Sequence, residues 1–404
     1  MSLLKLARKH KFFIIMGFLA FLVYSFYFNS FGADAPLMME YYNINEAGQG
    51  FIATMQAVGG IVVAVFLALY GERFNKIHVI TLGVLLISIA CIFMGFAPAY
   101  AVLIIIVLVA GLGYSAVDVM MNSVISDVYP KQKSTLLPWS HAFFGLGAMV
   151  APAFVAGIAN PAEPFSWRLP FLYVGIAGIV ICIVYALAGR KIMPETPYAH
   201  MEKLRAKITE NPIEIFKKGK AWMFLIVGTL YFCFQLGMIN WLPTFYLRNT
   251  DVGFEMAGVM STMLFAGALV MRFMGPLFLK KMTARSVYVI FTFISGILMM
   301  LSFVIPIFAV RAALTVAAGF LQGSSVVTLI IMCCDEFPTR TASASAIVVL
   351  SANIATLTFP VLMGKIAETT GFLFPMFLAA GVLILSAIII LIGVKKVPLA
   401  TKES

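Results

Sequence analysis

Twelve stretches of this 404-residue chain run for roughly 20 residues or more with almost no charge, the length an α-helix needs to cross a bilayer. They fall at 12–38, 48–70, 77–97, 100–127, 138–160, 166–189, 221–247, 254–279, 285–308, 309–334, 341–366 and 371–394. The composition, 62% apolar and 11% charged, is far from the roughly 25% charged residues of a soluble domain. The chain therefore reads as an all-α, multi-pass membrane protein with twelve transmembrane helices. Its basic N-terminus leads into an apolar run too long for the core of a signal peptide, so that run reads as the first spanning helix.

A net charge of +11 would point to nucleic acid in a soluble protein, but here the basic residues sort by side. With the N-terminus taken as cytoplasmic, 23 of the 28 Lys and Arg fall in segments on that side. Arg168, Arg248, Arg311 and Lys365 lie on or near the other side, and Arg272 lies inside the eighth helix. Both termini are expected in the cytoplasm, no nucleic acid is expected as partner, and a bacterial cytoplasmic membrane is the default location. Cys91, Cys182, Cys233, Cys333 and Cys334 all sit in apolar segments without paired spacing, which indicates neither a disulfide framework nor a zinc site.

The one long polar segment divides the chain into a six-helix bundle at 1–190, a cytoplasmic linker at 191–220 and a second six-helix bundle at 221–404. An internal repeat supports the division. Pro36 and Pro243 stand 207 residues apart, while Asp127-Val-Tyr-Pro130 and Asp335-Glu-Phe-Pro338 stand 208 apart. Two parallel six-helix repeats are the plan of secondary transporters, whose midplane site opens alternately to either side.

Two segments then carry a family resemblance. Gly111-Leu-Gly-Tyr-Ser-Ala-Val-Asp118-Val-Met-Met-Asn122 and Ser140-His141-Ala-Phe-Phe-Gly145-Leu-Gly147-Ala-Met-Val-Ala-Pro152 resemble the fucose/galactose/glucose-proton symporter branch of the major facilitator superfamily. Gly71-Glu-Arg-Phe-Asn-Lys76 resembles a degenerate form of that superfamily's second-to-third loop motif, with Glu72 for the usual Asp and Asn75 for the usual Gly. The resemblance implies a secondary active transporter that cotransports a small polar solute such as a sugar with protons. It also implies an acid four residues before the first-helix proline and an Asn seven before; here those positions hold Gly32 and Asn29. Asp34 is two residues beyond Gly32, about 200° around a helix from it.

An ionisable group inside a spanning helix is expensive and marks a functional site by default, which makes Asp118 the expected proton carrier. Asn122 follows it by one helical turn and so shares its face. His141, the one histidine inside a helix, joins them as a ligand for substrate or a modulator of the Asp118 proton. Gln235, Asn240 and Trp241 on helix seven, Gln322 on helix ten, Asn353 on helix eleven and Asn29 on helix one complete a substrate lining of amides and aromatics. Interhelical hydrogen bonds and packing are the plainer reading of each of these residues. Glu72, Arg73, Asp127, Asp335 and Arg340 are expected to form a cytoplasmic gate, with Arg73 and Asp127 as one latch and Arg340 and Asp335 as its repeat. The paired glycines Gly111, Gly113, Gly145 and Gly147 fit close helix approach in lipid.

Enzymatic chemistry is not indicated: no H-E-x-x-H occurs, and Gly323-Ser-Ser-Val is not a nucleophile elbow. A sensor or receptor is a further rival, and no loop is long enough for a signalling domain. Within transport the alternatives are export or flipping of an amphiphile, for which 36 Phe and 24 Met could line a cavity, and sodium in place of the proton. No cofactor or metal is expected, and the chain is expected to act as a monomer.

Overall fold

A computed structural model describes residues 8–160, 162–192, 212–250 and 254–395. Most of the expected linker at 191–220 lies outside these residues. Thirteen α-helices are present among them, and they supply twelve spans long and apolar enough to cross a membrane.

The helices are α1 Arg8–Tyr42, α2 Glu46–Tyr70, α3 Lys76–Met94, α4 Tyr100–Val128, α5 Lys133–Ile158, α6 Arg168–Ile192, α7 Gly219–Asn249, α8 Phe254–Leu279, α9 Ala284–Val304, α10 Phe308–Gln322, α11 Ser325–Glu336, α12 Thr341–Thr370 and α13 Leu373–Gly393. The tenth span is α10 and α11 in series, interrupted at Gly323 and Ser324. Helix α1 runs beyond the expected end at 38 and keeps Pro36 inside it, as spanning helices tolerate when neighbours satisfy the freed backbone groups. Asn43, at φ 51°, ends α1, and Gly371, at φ 76°, turns the chain between α12 and α13, a conformation that favours glycine.

Contacts group the chain into two units. The first holds Met1–Lys133, Ser140–Glu214 and Thr339–Val349; the second holds Ser134–Trp139, Ile215–Pro338 and Leu350–Ser404. The start of α12 thus groups with the first unit and the start of α5 with the second, which a cut along the sequence does not anticipate.

Within the first unit α4 packs closely on α2 and α3, because glycines remove the side chains that would hold the backbones apart. A Cβ on Gly59 would lie 2.3 Å from the Leu108 carbonyl oxygen, and one on Gly111 2.4 Å from that of Gln56. Gly83 and Gly113 make the same approach between α3 and α4. Gly147 instead meets the Ser25 side chain. In the second unit Gly267, Gly319 and Gly323 bring α8 and α10 together, with a Cβ on Gly319 falling 2.0 Å from the Leu264 carbonyl oxygen. Large apolar side chains point outward, as a lipid solvent permits: Phe96, Leu187 and Ile392 are 70%, 72% and 81% exposed.

Candidate functional site

Helix periodicity places Tyr114, Asp118 and Asn122 one turn apart on a single stripe of α4. Asp118 is half-buried, whereas Asn122 is fully buried and His141 of α5 is 8% exposed. Asn122 Nδ2 donates to Asp118 Oδ1 at 2.9 Å, and Asn122 Oδ1 lies 3.1 Å from His141 Nε2. An amide that donates with its nitrogen can only accept with its oxygen, so Nε2 carries the proton and donates to it. Carboxylate, amide and imidazole therefore form one chain with a defined direction.

Aromatic rings enclose this chain. Tyr24 of α1 stacks on Tyr114 with centroids 5.2 Å apart and planes 8° from parallel, and it lies within electrostatic reach of Asp118. Phe21 sets its edge against the His141 ring at 5.4 Å. Neither tyrosine is among the residues predicted from sequence, although Tyr114 sits one turn before Asp118 and the spacing alone could have flagged it.

Asn29 stands apart from the chain: its Nδ2 donates to the Ser25 carbonyl at 2.9 Å, one turn back in α1. In the second unit Gln322 accepts the Tyr231 hydroxyl at 3.1 Å, and Arg272, 8% exposed, interacts with the same hydroxyl. Gln235 follows Tyr231 by one turn of α7 and is half-buried, and Asn353 is buried. Asn240 is exposed and returns its amide to the Leu236 carbonyl at 2.8 Å. The Trp241 indole donates to the Pro360 carbonyl at 3.1 Å and packs on Phe372, which commits it to the packing of its own unit. An apolar cleft lined by Phe13, Met16, Ile80, Val84, Ile181 and Tyr185 includes none of the predicted site residues.

The expected latch between Arg73 and Asp127 is not what forms. Arg73 is exposed, with its guanidinium 5.5 Å from the centroid of the Tyr70 ring. Lys76 takes its place: Nζ lies 2.9 Å from Asp127 Oδ2, 2.8 Å from Glu72 Oε2 and 3.1 Å from Thr341 Oγ1, and it also donates to Ser123 Oγ. Thr341 donates to Asp127 Oδ1 at 2.7 Å, and the Ala342 N–H donates to Glu72 Oε1 at 2.6 Å. The cause is local. Gly71–Arg73 forms a single 3-10 turn that leaves Arg73 outside, and the Asn75 side chain caps α3 through the Ile77 and His78 amides. That cap starts α3 at Lys76 and lays its side chain against α4. Glu72 meets a helix N-terminus, where a carboxylate is stabilised by the unpaired amides and the helix dipole. Asp335 is exposed at the end of α11 in the second unit, and Arg340 is buried in the first.

With this arrangement described, comparison with known proteins places the chain. The family model described as Major Facilitator Superfamily matches residues 14–282 and 246–404, and the chain belongs to that superfamily. It is a transporter with the superfamily's twelve-helix fold, embedded in a membrane. The inner membrane transport protein YdiM of Escherichia coli (strain K12) is 21% identical over 332 residues, 80% of this chain and 79% of YdiM. The phosphoglycerate transporter protein of Salmonella typhimurium is 22% identical over 284 residues, 62% of this chain and 61% of its own. Among solved structures, the E. coli fucose:proton symporter FucP superposes with a TM-score of 0.78 at 14% identity, over 95% of this chain and 98% of that one. The proton:xylose symporter XylE superposes with a TM-score of 0.76 at 14% identity, over 95% of each. At such identity the likeness is one of fold.

Proposed function

We propose that this protein is a secondary active transporter working by alternating access, which carries a small polar solute such as a sugar together with protons through Asp118. The observation that carries the reading is the directed chain Asp118–Asn122–His141 inside the spanning region of the first unit. While Asp118 is charged it accepts from Asn122. A proton on the oxygen that Asn122 does not hold leaves that bond in place, weakened by the loss of charge, and adds an O–H donor to the site. Proton binding is thereby coupled to the hydrogen bonds that a hydroxylated solute would meet. The proton-coupled sugars named for FucP and XylE support the same class. The positive-inside distribution of Lys and Arg supports a cell membrane location with both termini in the cytoplasm. On this reading the Lys76 cluster holds the first turn of α12 to the α2–α3 turn and must open during the cycle.

A second reading, an anionic solute, is favoured by the Arg272 guanidinium, which lies inside a spanning helix beside Tyr231, and by the phosphoglycerate named for the Salmonella relative. One experiment separates the two. Proteoliposomes are offered labelled hexoses, pentoses, a phosphorylated three-carbon acid and one amphiphile, with and without an inward proton gradient, for wild type and Asp118→Asn. Gradient-driven accumulation of a neutral sugar, lost in the variant while exchange survives, is the expected result. Accumulation of the acid alone would move the substrate class, and accumulation that survives Asp118→Asn would remove Asp118 as the carrier.

A further inference from the structure

Asp34 is a further buried carboxyl of the first unit, used neither by the Asp118 chain nor by the Lys76 cluster. It is 0% exposed, and neither carboxylate oxygen has a hydrogen-bond partner. It lies on one stripe of α1 with Tyr27, Phe31 and Met38, which are 0%, 7% and 0% exposed. The stripe is not fully apolar in its surroundings. Gln49 of α2 donates to the Phe31 carbonyl at 3.4 Å, one turn before Asp34, and its Oε1 is left unpaired. Gln56, two turns further along α2, faces Tyr27.

A lone carboxylate in such a place costs several kcal/mol when charged, because nothing replaces the water it has lost. The titratable groups on the elements packed around α1 do not offset that cost. Arg168 of α6 is held by the Tyr41 hydroxyl at 2.7 Å and the Ala97 carbonyl at 2.9 Å. Tyr100 of α4 donates to the Gly48 carbonyl, Tyr114 stacks on Tyr24, Asp118 bonds Asn122, and Cys91 of α3 is a buried thiol. None of them bonds Asp34. These groups thus offer a charged Asp34 neither a donor nor a counter-charge. Two residues on, Pro36 cannot donate to the Gly32 carbonyl, so the turn of α1 that carries Asp34 is short of one helical hydrogen bond and can bend.

We propose that Asp34 is a second proton site, separate from Asp118, filled in the conformation described here and emptied when the Pro36 turn of α1 rearranges. This rests on the reading of the chain as a proton-coupled transporter. It is not the first-helix acid that the family resemblance implies, since that position is Gly32 and Asp34 points about 200° away from it.

The test needs no substrate. The purified full-length protein in lipid nanodiscs is stepped between about pH 5 and pH 9, and the infrared difference spectrum is read at the carbonyl stretch of protonated carboxyls. Asp34→Asn should delete one pH-dependent component, Asp34→Glu should restore it at a shifted frequency, and Asp118→Asn should leave it in place. Asp34→Glu, which keeps the carboxyl, serves as the folded control if Asp34→Asn is unstable. A component that persists in Asp34→Asn would overturn the proposal. So would an Asp34 component that never responds to pH, or one that responds to sodium and not to pH. If Asp118→Asn changes no band while Asp34→Asn does, the Asp118 reading fails and this one stands.

Discussion

The Lys76 cluster and the Asp118 chain draw on the same helix, α4, within the same unit, yet they treat their carboxylates in opposite ways. Asp127 meets an ammonium on one oxygen and a hydroxyl on the other, and Lys76 faces Asp127, Glu72, Ser123 and Thr341. Asp118 has an amide on one oxygen and is half-buried. A buried charge whose positions are filled by strong partners is held in one state, because losing any partner strands the others. A half-buried carboxylate with a single neutral donor has no such cage around it. On the proposed reading, saturation makes a lock and incomplete pairing makes an exchange site.

The largest effect should come from breaking the saturated cluster. Lys76→Met leaves the buried Asp127 and the partly buried Glu72 without their cation and should cost about 3–5 kcal/mol of stability, read as a large drop in the melting temperature of purified protein. Asp118→Asn should do the reverse, abolishing proton-driven accumulation and making exchange independent of pH while the melting temperature barely moves. If it melts early instead, Asp118 belongs with the locks and the contrast collapses. Thr341→Val removes one hydroxyl shared by Lys76, Ser123 and Asp127 and should cost about 1–3 kcal/mol, a smaller shift in the same assay. Arg73→Ala should stay within about 0.5 kcal/mol of wild type, since that side chain is exposed over a tyrosine ring. A large loss there would restore Arg73 to the gate.

How far these features could be read before any coordinates depends on how local each one is. The spans were legible because lipid demands long uncharged runs, and the repeat because two halves keep their landmarks at constant spacing. The Tyr114, Asp118 and Asn122 stripe was legible for the same kind of reason, since 3.6 residues per turn fixes which side chains share a face. Even the exchange of Lys76 for Arg73 left a trace, in Asn75 as a capping residue one position before it.

What the sequence determined by itself is therefore the membrane, the number of spans, the twofold repeat and which polar side chains share a helix face. All of these follow from composition and from periodicities within a turn or two. The tertiary structure alone decided which partners those faces meet. Lys76 finds Thr341 across 265 residues of chain, Trp241 finds Pro360, Asn29 turns back on its own helix, and Asp34 finds no partner at all. A side chain's neighbours across helices depend on rotation and crossing geometry set by the glycine contacts, and the energetics of a buried charge depend on whether its last acceptor or donor is present.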